Sequence, residues 1–98
     1  MSNQSAVYAV LYDRDLIDTE SLHHFITNSP MVERWWHHIK SFYLIKSGFS
    51  ADQIADAMPE ILRDAGFLIV EANIANSSGW LADPAWRWIG KRQKELQE

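Results

Sequence analysis

Three groups of side chains in this chain could do chemistry. Asp13 and Asp15 close an apolar run, Ala6 to Tyr12. A carboxylate at the C-terminal end of a central strand could hold Mg²⁺, which commonly takes one or two protein carboxylates and fills the rest with water. A symmetry mate of Asp13 across a dimer could complete such a site. The same spacing also suits a strand-end turn, where an aspartate bonds its own backbone. His23-His24 and His37-His38 form two doublets. Neighbours point about 100° apart on a helix and to opposite faces on a strand, so neither doublet is a ready chelate. Zinc would need one histidine from each pair to converge, with no cysteine to help. His37 is a candidate general base, since imidazole titrates near neutral pH. The alternative is a hydrogen-bonded histidine at a sheet margin.

The third group is aromatic. Trp35 and Trp36 must point oppositely if their segment is extended. One then faces the helices and the other the open face of the sheet. An open face carrying Trp, His and Tyr could stack nucleobases. It could equally be covered by a partner subunit or by the chain's own C-terminal segment, where Trp80, Trp86, Trp88 and Ile89 are the natural cover. Trp35, Trp36, His38 and Trp86 are therefore the candidate binding or interface residues.

Other chemistries find less support. Ser41 has no acid or base at a telling spacing, and the four glycines make no phosphate loop. Arg14, Arg34 and Lys40 could contact phosphates only if they converge. The net charge of −4 disfavours tight nucleic-acid binding, which needs a basic face, without excluding a local patch. The absence of cysteine fits a cytoplasmic protein. The polar opening lacks the order of a signal peptide, and no apolar run approaches a membrane span.

The elements that must position these residues are legible from period and caps. The 98 residues make a single domain. Residues 1–5 read as a disordered lead, and 6–12 as a central strand buried on both faces. A helix starts at the N-cap Asp18, with Ile17 and Leu22 as a hydrophobic staple, and stops at Asn28-Ser29-Pro30. Residues 34–38 and 41–46 read as two short strands joined near Ile39-Lys40, with one long strand as the alternative. Ser50 and Gln53 make a capping box for a second helix. Ile54, Met58, Ile61, Leu62 and Ala65 form its buried stripe, Pro59 kinks it, and Gly66 ends it. Residues 67–74 are the last strand. Asp83, as a cap before Pro84, opens a C-terminal helix over 83–98. With right-handed crossovers both main helices fall on one face. The expected fold is α+β, a ferredoxin-like β-α-β-β-α-β sandwich with an added C-terminal helix.

Several segments resemble a family. The strand ending Leu11-Tyr12-Asp13, the stretch from Trp35-Trp36-His37 through Ser41-Phe42-Tyr43-Leu44, and Gly79-Trp80-Leu81 with Ala85-Trp86-Arg87-Trp88-Ile89 resemble small bacterial SinR-like proteins. Those are similar in layout to the small CRISPR-adaptation nuclease-like subunit and to virulence-associated protein D. The resemblance spans roughly residues 7–89. It implies a ferredoxin-like fold, a homodimer, and a phage-defence, toxin or mobile-element setting. Some members of the wider set are metal-dependent endonucleases whose aspartate closes the first strand, here Asp13.

Two functional expectations follow. The first is a homodimeric interaction or regulatory protein without a cofactor, binding another protein through its aromatic surface. The second is an RNA or DNA endonuclease using Mg²⁺ on Asp13, assisted by His37, His38 or Ser41.

Overall fold

The structure is a computed structural model that describes residues 5–96. Of the lead expected over 1–5 only Ser5 is described, and 97–98 of the expected last helix lie outside. The chain runs β1 (Ala6–Tyr12), α1 (Thr19–Asn28), β2 (Arg34–Ile39), β3 (Phe42–Ser47), α2 (Ala51–Ala57), α3 (Glu60–Ala65), β4 (Phe67–Glu71) and α4 (Asp83–Leu96). The strands form one sheet in the order β2-β3-β1-β4, every neighbouring pair antiparallel. β1 and β2 therefore run parallel with β3 between them. That split β-α-β arrangement is the expected ferredoxin-like α+β fold. Among the described residues no helix is long and apolar enough to cross a membrane.

The caps of the first two helices act as the sequence predicts. Asp18 Oδ1 accepts from the Ser21 amide at 3.2 Å. Ser50 and Gln53 exchange both capping-box bonds, at 2.9 and 3.2 Å. Lys40 and Ser41 make a two-residue turn between β2 and β3, with Ser41 at φ 67°. A register shift between Trp36 and Ile39 bulges β2 just before it.

Strand alternation divides the core in two. Tyr8, Val10, Tyr43 and Ile45 face Leu22 and Ile26 of α1, with Ile54, Met58 and Leu62 completing this cluster. Val7, Ala9, Leu44 and Trp36 face the other way, onto Ile74, Ala85 and Ile89, with Trp86 and Trp88 packed alongside. The first three helices thus cover one face of the sheet and α4 covers the other, which explains why β1 is apolar on both sides.

Charge completes the fit of α4. Arg92 is buried, and its guanidinium donates to both oxygens of Glu95, Nε to Oε1 at 2.8 Å and Nη2 to Oε2 at 3.0 Å. It also lies 5.0 Å over the Trp88 ring, a cation–π arrangement. Lys46 Nζ on β3 reaches Glu95 Oε1 at 3.0 Å and Glu33 Oε1 at 3.4 Å. The Arg92 and then the Lys46 hydrogen bonds hold the Glu95 carboxyl down to about 2.

Four details differ from expectation. Pro59 splits the second helix into α2 and α3 instead of kinking one helix, because it cannot donate its amide to the ladder. The break resets the helical phase, so Leu62 stays buried while Ile61 turns outward at 55% exposure. β4 ends at Glu71, earlier than residue 74, although the Ala72 amide still donates to Val7 O at 2.8 Å. Beyond it the chain turns and seats Ile74 in the α4 cluster. Asp83 is already helical, and the Ala82 carbonyl takes the capping place, accepting from Ala85 and Trp86.

Two outcomes follow. Trp36→Ala, removing a buried indole, should destabilise the fold by about 3–5 kcal/mol in urea unfolding. The Glu95 carboxyl sits below its ordinary value of 4.5, so its contribution is present above about pH 4.5 and is lost as pH falls toward about 2. Glu95→Gln should flatten that acid limb of the stability–pH curve.

Candidate functional site

The chemistry-bearing side chains gather where β2, β3 and α1 meet. Trp35 lies opposite Ile45 and so shares the α1 side of the sheet with Tyr43. Tyr43 is the hub. Its ring stacks on His37 at 3.9 Å and 7°. It lies 6.2 Å from Trp35 and 6.0 Å from Tyr12. Its hydroxyl meets His23 Nδ1 at 2.6 Å. The His23 ring in turn meets Trp35 edge-on at 5.3 Å. An open hollow beside this cluster is lined by Thr19, Glu20, His24, Thr27 and Asn28 together with His23, His37 and Tyr43.

The hydrogen bonds fix protons. His37 Nδ1 lies 2.8 Å from the Phe42 carbonyl, which only accepts. Neutral His37 therefore carries its hydrogen on Nδ1 and keeps a lone pair on Nε2, the state required of a base or an acceptor. Burial, and then the neighbouring Tyr12, push the Tyr43 phenol up to about 12. Tyr43 stays protonated at neutral pH and can share its proton with His23 Nδ1.

The other candidates fall elsewhere. Asp13 is exposed, and its Oδ1 accepts from the Asp15 amide at 2.9 Å. Its carbonyl accepts from the Leu16 and Ile17 amides, both at 3.0 Å. This is the strand-end turn. No group of three or more His, Asp or Glu side chains among the described residues could hold a metal. His23, His24 and His37 therefore do not pool in such a group. Arg14 and Lys40 lie at one end of the sheet, where the Tyr12 amide meets Ser41 O, and Arg34 starts β2 at the other. Those three cations do not converge. Trp36 is core, and Trp86 packs against the same cluster. His38 lies on β2, but its side chain is outside the described part. Trp35, at 40% exposure, is the tryptophan of the doublet that reaches solvent.

The sequence offers His23 only as a possible chelate and does not single out Tyr43 as a site residue; the structure joins the two through the Tyr43 hydroxyl. Parity carried a signal: Tyr43 lies opposite Val10 and therefore on the helix side, where α1 must pack. No family model, no curated protein and no solved structure matches the chain.

Because the Tyr43 phenol is raised from 10.0 to about 12, its stabilising effect is complete below pH 10 and is lost as pH rises toward 12. Tyr43→Phe should lower stability at neutral pH through the lost His23 bond, yet show a shallower alkaline decline. Thermal midpoints measured from pH 8 to 12 check both effects.

Proposed function

We propose that the protein is a small homodimeric interaction or regulatory module, which presents its aromatic–imidazole cluster to a protein partner. The observation that carries this reading is the apolar side chains left uncovered on both outer strands. Trp35 and Ile39 on β2 are 40% and 44% exposed, and Leu68 and Val70 on β4 are 60% and 46% exposed. Trp35 and Ile39 lie on opposite faces, whereas Leu68 and Val70 share a face with Leu11, and uncovered apolar patches mark contact surfaces more often than scattered single residues do. The Trp35 surface is also held firmly, by His23 and Tyr43 beneath it, and tryptophan on a rigid support is a favoured interface anchor. The resemblance to the small SinR-like proteins supports the dimer. It also motivates a role in a phage-defence or mobile-element setting, and the absence of cysteine fits a cytoplasmic location.

The competing reading is an endonuclease using Mg²⁺ on Asp13. Two observations weigh against it: one Asp13 oxygen is engaged by the turn, and the chain carries a net charge of −4.

Light scattering should give about twice the 11.3 kDa chain mass, and Asp13→Ala should leave mass and fold unchanged. A monomer at tens of micromolar would contradict the reading. Labelled single- and double-stranded RNA and DNA should survive incubation with Mg²⁺ or Mn²⁺. Cleavage abolished by Asp13→Ala would establish the nuclease instead.

A further inference from the structure

Among the described residues β4 ends the sheet and pairs with β1 alone. The Ala72 amide donates to Val7 O, and Val70 lies opposite Ala9. The backbone groups of Leu68, Val70 and Ala72 thus point toward β1. By the alternation of an antiparallel ladder, those of Phe67, Ile69 and Glu71 point to the open side. Outer strands usually carry a guard against pairing: a lysine, a proline or a bulge. β2 has its bulge between Trp36 and Ile39. The sequence Phe67-Leu68-Ile69-Val70-Glu71 has neither proline nor lysine, and its register with β1 is unbroken.

The side chains agree with the backbone. Leu68 lies opposite Leu11 and Val70 opposite Ala9, which puts both on the side of the sheet that α4 covers. But α4 packs beside β2 and is tied to Lys46 on β3, toward the far margin. Leu68, Val70 and Leu11 are left exposed together.

We propose that β4 pairs antiparallel with β4 of a second copy about a two-fold axis through Ile69. This inference rests on the homodimeric reading and names its interface. Ile69 then faces itself, Leu68 faces the partner's Val70, and Phe67 faces the partner's Glu71. That register alone pairs all five residues of the strand, and every outward amide and carbonyl of Phe67, Ile69 and Glu71 gains a partner. Exposed apolar side chains meet one another on the α4 side. The one charge of the strand, Glu71, meets an aromatic ring and never its own copy, so no like charges oppose. The product is a continuous eight-stranded sheet whose two ends are both the bulged β2. The association is isologous and closes at two copies.

The chain has no cysteine, so introduced thiols report the register directly. In this arrangement positions 68 and 70 of opposite copies form a non-hydrogen-bonded pair with Cα atoms about 4.5 Å apart, within disulfide reach. Position 68 and its own copy lie on a diagonal of about 7–8 Å. L68C and V70C proteins, mixed and mildly oxidised, should give on the order of tenfold more covalent dimer than either alone. Sedimentation of the wild type in parallel separates the two levels of the argument. A wild-type monomer would overturn the homodimeric reading and this interface together. A wild-type dimer whose mixed variants fail to cross-link, or cross-link no better than each alone, would overturn the β4 interface only.

Discussion

The packing of α4 on the second face of the sheet is the constraint on which the rest depends. A four-stranded antiparallel sheet with helices on one side leaves its other side to water or to another molecule. Here the chain covers that side itself. Val7, Ala9, Leu44 and Trp36 become core because Ala85 and Ile89 lie over them. Without α4 the same four side chains would form a broad apolar face. With it, the apolar side chains that the sheet leaves exposed lie toward its edges, Leu68 and Val70 on β4 with Leu11 beside them, and Trp35 and Ile39 on β2.

The way α4 is held explains its position. Its first half is attached by apolar contact and its second by charge. Arg92 is buried with its guanidinium satisfied by Glu95 and stacked over Trp88. A buried charge left without such partners would be costly. Glu95 also receives Lys46 from β3, which joins the helix to the sheet. Lys46 ties α4 to the β3 side of the sheet, while Leu68 and Val70 on β4 stay exposed.

Caps and strand parity are legible in the sequence because they act over a few residues. Asp18 and the Ser50–Gln53 box lie where the side chains demanded, and the opposite orientation of Trp35 and Trp36 followed from alternation alone. What periodicity could not carry was the effect of Pro59. Whether a proline kinks or breaks a helix depends on what the two halves pack against, and here the break sent Ile61 outward. The His23–Tyr43 bond spans 20 residues, so it becomes visible only once α1 is docked on β3. The histidine doublets suggest chelates in the sequence, yet His23 and His37 each engage through Nδ1 in a hydrogen bond, with the Tyr43 hydroxyl and the Phe42 carbonyl.

The Trp35 cluster and the β4 margin have different characters. The Trp35 cluster is a set of side chains on a bulged strand, suited to side-chain contacts. The β4 margin is mainly backbone, suited to another strand. Amide hydrogen exchange along β4 tests this division most directly, because inward and outward amides alternate within one strand. If β4 is the seam of a dimer, the Ile69 amide should exchange as slowly as that of Val70 at high protein concentration and faster on dilution. A protected Val70 beside a rapidly exchanging Ile69, at every concentration where the protein is dimeric, would contradict the account.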